Sequence, residues 1–125
     1  MEIRESAEDY LERILMLNKS MGQVRAVDIA NLMNFSKPSV SIALKKLRQN
    51  GYVNIDGGGY ITLTESGLEI AERVFERHRL ISQLLMALGV DEQTAKEDAC
   101  RVEHDLSVES FEAIKEYCRK NLQIQ

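Results

Sequence analysis

One short stretch constrains this chain more than any other: Asp56-Gly57-Gly58-Gly59, set between two apolar runs, Tyr52-Val53-Asn54-Ile55 and Tyr60-Ile61-Thr62-Leu63. Asp followed by glycines signals a hairpin, because tight reversals need backbone angles that glycine adopts without strain. Elsewhere the apolar residues recur at three- and four-residue spacing, the pattern of one helix face. A helix is predicted over 6–20, with Tyr10, Leu11, Ile14, Leu15 and Leu17 on its apolar side. A short helix follows over 26–33, and a third over 37–50 stops at Gly51. After the hairpin, Thr64 is a predicted N-cap. The helical pattern then runs to about Leu88, with further helices over 91–106 and 107–122.

Three helices followed by a hairpin is the winged-helix order. The chain is therefore expected to be mainly α: an N-terminal winged helix-turn-helix over residues 1–64, then a three-helix domain over 65–125. A helix-turn-helix needs a small residue in its first helix, a residue tolerant of left-handed backbone in the turn, and a β-branched residue facing back from the second helix. Ala30, Asn34 and Val40 occupy those places, and Asn tolerates positive φ better than most residues. In the third helix Val40, Ala43, Leu44 and Leu47 point towards a core, while Ser39, Ser41, Ile42, Lys45, Lys46 and Gln49 point elsewhere. Pro38 suits a first helical turn, where a missing N–H costs little. The expected DNA contacts are Arg25, Ser36, Lys37, Pro38, Ser39, Ser41, Ile42, Lys45 and Lys46. Ile42 has two readings: a partner for a thymine methyl, or one exposed apolar residue of an ordinary kind.

The net charge of −4 argues at first against nucleic acid. Its distribution does not: residues 1–63 carry eight Lys/Arg against seven Asp/Glu, and residues 64–125 carry eight against thirteen. A near-neutral head on an acidic body excludes a protein held on DNA by charge alone. No apolar run approaches the roughly 18 residues that span a bilayer, and the start of the chain lacks the order of a signal peptide, so no membrane association and a cytoplasmic location are expected. Two cysteines, Cys100 and Cys118, make no disulfide scaffold. Each is either a buried small hydrophobe or a reactive thiol, and the role of Cys118 stays open.

Cys100, Glu103 and His104 have i, i+3, i+4 spacing, which puts thiol, carboxylate and imidazole on one helical stripe, apart from the apolar stripe Ala95, Ala99, Val102 and Leu106. Mixed donors of this kind form a chelating face for a divalent ion. Asp9 and Glu12 share a face of the first helix; alone, such a pair is ordinarily a solvated surface. His78 lies on the long helix among apolar residues and, alone, reads as a core histidine. Six donors on three helices are a more specific signal than any pair.

With these residues in view, the chain resembles the diphtheria-toxin-repressor and manganese-transport-regulator family of metal-dependent transcriptional repressors. The resemblance runs along the whole chain, carried by AEDYLERILML (7–17), KPSVSIALKKL (37–47), ERHRLISQLL (76–85) and ACRVEHDLS (99–107). It implies Asp9, Glu12, His78, Cys100, Glu103 and His104 as metal ligands, with Mn²⁺ or Fe²⁺ as the cofactor and Co²⁺, Zn²⁺ or Cd²⁺ able to substitute. It also implies a homodimer on double-stranded operator DNA, joined through Leu80, Ile81, Leu84, Leu85 and Phe111. The protein is expected to be no enzyme, to take no small organic substrate, and to be the two-domain form without the family's SH3-like domain. Manganese regulators usually have Glu where this chain has Cys100, and iron-responsive members tend to have Met where it has Asp9, so the ligand set is a hybrid. The iron branch's ancillary site is not expected, since its Glu and His positions hold Ser82 and Lys96. Three rivals remain at this point: a winged-helix regulator gated by a small organic ligand, a metal-dependent hydrolase, and a purely structural metal clip.

Overall fold

The computed structural model describes residues 5–124. The chain divides into two compact units, Met1–Glu72 and Arg73–Gln125, with the division inside one helix. In the first unit α1 (Glu5–Met21), α2 (Ala26–Met33) and α3 (Lys37–Gln49) precede β1 (Val53–Ile55) and β2 (Ile61–Leu63), and α4 (Glu65–Ala87) begins. The mainly α winged-helix order read from the sequence is the observed one. Its core contains Leu11, Ile14, Val24, Ile29, Val40, Val53 and Ile61, all nearly or wholly buried.

The turn between α2 and α3 follows the chemistry of its residues. Asn34 sits at φ 57° in the left-handed region, and the Phe35 N–H donates to the Ala30 carbonyl at 3.1 Å, closing α2. Ser36 then caps α3 by accepting from the Ser39 N–H at 3.3 Å, with Pro38 in the first turn. Val40, Leu44 and Leu47 are buried and Ala43 is half-buried, so α3 faces the core as expected.

The wing is an antiparallel pair with Val53 opposite Leu63, Asn54 opposite Thr62 and Ile55 opposite Ile61. Asp56 organises its tip. Its Oδ1 accepts from the Gly58 and Tyr60 N–H groups, both at 2.9 Å, while Gly59 takes φ +82°. A further attachment escaped the sequence reading: the Ile61 N–H donates to the Val24 carbonyl at 2.7 Å, bridging the wing to the segment before α2. Thr64 caps α4 by accepting from the Gly67 N–H at 3.1 Å, and its own hydroxyl donates to the Gly51 carbonyl at 2.6 Å. This stitching brings α4 so close to β1 that a Cβ on Gly67 would collide with the Tyr52 carbonyl oxygen.

In the second unit the rest of α4 is followed by α5 (Glu92–Val102), α6 (Val108–Tyr117) and a π-helical turn, Cys118–Leu122. Asp91 and Ser107 cap α5 and α6. Leu80, Phe111 and Cys118 form the core, with Leu84, Leu106, Ile114, Leu122 and Ile124 packed against it. Two expected helices are therefore shorter than predicted. The one expected over 91–106 ends at Val102, and the one expected over 107–122 gives way at Cys118 to a turn in which the Ile124 N–H reaches the Cys118 carbonyl at 3.1 Å. The shortening also removes Leu106 from the helix; Val102, its last residue, is 40% exposed, and only Ala95 and Ala99 of the expected apolar stripe are buried in α5. Among the described residues no helix is long and apolar enough to cross a membrane.

Candidate metal centre

The second unit brings three donors together. His78 stands on α4, Cys100 in the last turn of α5, and Glu103 at the C-cap of that helix, still in helical conformation with φ −57° and ψ −28°. One ligand atom from each lies within 4.8 Å of the others. His78 Nδ1 is 3.0 Å from Glu103 Oε2 and 3.6 Å from Cys100 Sγ. The expectation of one helical stripe is corrected in part: of Cys100, Glu103 and His104 only Cys100 lies inside α5, and His104 belongs to the turn that follows.

Glu103 is 1% exposed, which makes its charge costly unless cations face it. Its Oε2 meets His78, whereas its buried Oε1 makes no hydrogen bond among the described residues and has His104 Nε2 at 3.4 Å as an ion-pair contact. Contact with Cys100, and then with Glu103, pushes the His78 imidazole up from 6.5 to about 10, outweighing the burial that would lower it. A thiol, a buried carboxylate and an imidazole thus converge on one point and hold a positive charge there. That donor set fits a divalent transition metal, which would take the place of the imidazolium proton.

A residue that the sequence reading passed over shapes this corner. Arg77, next to His78, is 7% exposed. Its Nη1 donates to the Glu103 carbonyl at 3.0 Å and to the Leu106 carbonyl at 2.7 Å, and its guanidinium lies 5.1 Å from the centre of the Phe111 ring. A charged residue beside a ligand histidine reads as solvated surface in a one-dimensional pattern, and no signal in the sequence marks it as a clamp. Ser82, 4% exposed, donates its hydroxyl to the His78 carbonyl at 2.7 Å, and Lys96 pairs with Glu92 at 2.8 Å.

In the first unit Asp9 is half-buried on α1, while Glu12 is wholly buried and accepts from Arg13 Nη1 at 3.0 Å. Glu12 is therefore no part of a solvated face. The expected DNA-contacting side chains on α3 (Lys37, Pro38, Ser39, Ser41, Ile42, Lys45 and Lys46) are all exposed, as is the cap Ser36, and Ile42 is 60% exposed. Arg25 is exposed too, with its guanidinium 4.4 Å over the Tyr60 ring of the wing. Of the residues expected at a dimer interface, Leu80, Ile81 and Phe111 are buried within the single chain, whereas Leu84 and Leu85 are half-buried.

Comparison with known proteins finds two family models along the chain. Residues 2–59 match the family model described as the iron dependent repressor, N-terminal DNA binding domain. Residues 64–121 match the model described as its metal binding and dimerisation domain. The chain belongs to the iron-dependent repressor family, whose members are metal-dependent, DNA-binding transcriptional repressors and not enzymes. It is 41% identical over 118 residues to an uncharacterized HTH-type transcriptional regulator of Methanocaldococcus jannaschii, covering 93% of this chain and 94% of that protein. It is 33% identical over 118 residues to the transcriptional regulator MntR of Escherichia coli, covering 94% of this chain and 76% of the relative. Among solved structures, the manganese regulator SloR superposes with a TM-score of 0.80 at 30% identity, over 95% of this chain and 55% of that one. The chain thus spans about half the length of that solved structure. Family membership removes the hydrolase from the rivals.

Proposed function

We propose that this chain is a cytoplasmic homodimeric repressor that grips double-stranded operator DNA when Mn²⁺ or Fe²⁺ is held by His78, Cys100 and Glu103, with Co²⁺, Zn²⁺ or Cd²⁺ able to substitute. The observation that carries it is the convergence of those three donors in a domain of the metal-binding and dimerisation type. Asp9, Glu12 and His104 join the proposed donor set on their residue types and on the resemblance. The division of labour at residues 1–64 and 65–125 is part of the same reading, as is dimerisation through the second unit, with Leu84 and Leu85 the least buried of the expected contacts.

A divalent cation bound at the site supplies the positive charge that lets thiolate, carboxylate and imidazole donors stay together. With an ion bound, His78 would serve as a neutral imidazole ligand and Glu103 would face the ion in place of an imidazolium. Ser36 and Ser39 fix the start of α3, and Ser41, Ile42, Lys45 and Lys46 stand on its exposed side to meet bases and phosphates. Two such heads in a symmetric dimer read half-sites about one helical turn, ~34 Å, apart. Metal binding adds no base contact of its own; it shifts the population towards the DNA-competent arrangement.

The test is an anaerobic operator-binding titration with each metal in turn at fixed salt. The wild-type chain gains affinity with metal, and Glu103→Ala or His104→Ala loses that gain while keeping its helical circular dichroism. Variants that still need added metal to bind operator would overturn the ligand assignment. A wild-type chain that binds equally well without metal leaves only the small-ligand or structural-clip readings.

A further inference from the structure

The turn that carries Glu103 and His104 is held by a side chain that is itself no ligand. Residues 103–107 lie between the end of α5 and the start of α6. The Glu103 N–H still reaches the Ala99 carbonyl at 2.9 Å and the Asp105 N–H the Val102 carbonyl at 3.0 Å, so backbone bonds hold the start of the turn from its amide side. Within this turn the Glu103 and Leu106 carbonyls both accept from the same nitrogen, Arg77 Nη1. The guanidinium is held in turn by the face of Phe111, on α6. Arg77 also directly precedes His78 on α4. One buried cation therefore ties the backbone of one donor to the helix that presents another. Its Nε finds no hydrogen-bond partner among the described residues, so satisfaction of its own polar atoms does not account for its burial.

We propose that Arg77 is a positioning residue for the metal centre: by pinning the Glu103 and Leu106 carbonyls it sets where the Glu103 carboxylate stands relative to His78 and Cys100. This rests on the reading of His78, Cys100 and Glu103 as ligands. A ligand whose backbone is pinned before metal arrives loses less freedom on binding, and groups that orient ligands in this way are commonly worth roughly 10- to 100-fold in metal affinity. Arg77→Met keeps an unbranched apolar stem against Phe111 and removes both donors. Arg77→Lys keeps the charge and a donor able to reach one carbonyl.

Co²⁺ is the probe, because its visible absorption reports the ligand field and its near-ultraviolet thiolate band reports Cys100 independently of affinity. The full-length chain is titrated anaerobically, well below its melting temperature, with helicity followed in parallel. Arg77→Met is expected to bind roughly 10- to 100-fold more weakly, to keep the thiolate band, and to show an altered visible spectrum; Arg77→Lys should recover part of the affinity. A merely structural role would lower the melting temperature and leave both affinity and spectrum at wild-type values, which overturns the proposal. If Arg77→Met does not fold, Arg77→Lys decides alone: weaker binding with a shifted visible spectrum supports the positioning role, and wild-type values reject it. A wild-type chain showing no thiolate band would instead sink the ligand reading, so the two failures are distinct.

Discussion

At the scale of single residues the metal-free site behaves as a proton store. His78 titrates near 10 in the fold against 6.5 as a free side chain, held up by Cys100 and then by Glu103. A raised pKa means that these contacts stabilise the fold fully below the unfolded value and cease to do so as pH climbs through the folded one. Metal-free protein should therefore lose thermal stability between about pH 6.5 and about 10, and His78→Gln should flatten that decline. A wild-type melting temperature that stays level across the window would show that the imidazole carries no such proton. The same proton competes with metal, so apparent metal affinity should rise over this range. None of this coupling was visible in the sequence. The i, i+3, i+4 spacing nominated Cys100, Glu103 and His104, but only the fold brings His78 Nδ1 within 3.0 Å of a buried carboxylate.

At the scale of elements, the first unit was the more legible. Ala30, Asn34 and Val40 announced the helix-turn-helix because each answers a local backbone or packing need, and the glycines after Asp56 announced the wing for the same reason. The end of α5 was hidden, because the apolar periodicity that includes Val102 continues to Leu106, four residues after the helix has stopped. What holds the following turn is a contact 26 to 29 residues away in sequence, from Arg77. Gly67 was equally silent, since its need for a bare Cα comes from Tyr52 and not from its neighbours in sequence. Ala at that position would gain helix propensity but meet a carbonyl that is fixed by the Thr64 N–H at 3.1 Å. Gly67→Ala is expected to destabilise the protein by about 2 kcal/mol in urea denaturation, the usual scale of overpacking against backbone. An unchanged or raised midpoint would mean that α4 can move away from β1.

At the scale of the whole molecule, a chain of net charge −4 must bind a polyanion through a minority of its surface. Lys37, Lys45 and Lys46 on α3 are exposed and supply positive charge there. If Lys45 meets a phosphate, Lys45→Ala should weaken metal-activated binding about equally on all sequences and reduce the slope of log affinity against log salt by about 1. A variant that keeps the wild-type slope and changes only sequence preference would place Lys45 on a base instead. Residues 64–125, with eight Lys/Arg against thirteen Asp/Glu, add no net positive charge to the attraction, which makes such salt experiments informative.

The attachment of the wing has a consequence for the thermodynamics of docking. An isolated two-stranded ribbon flexes, and immobilising it against DNA would cost conformational entropy. Here β2 is held on one side by β1 and on the other by the Val24 carbonyl, while the Arg25 guanidinium covers Tyr60 near the tip. The Ile61 amide should then be among the slowest in the wing to exchange with deuterium, and its protection should change little when DNA binds. A ribbon held in this way would lose little further motion on meeting DNA.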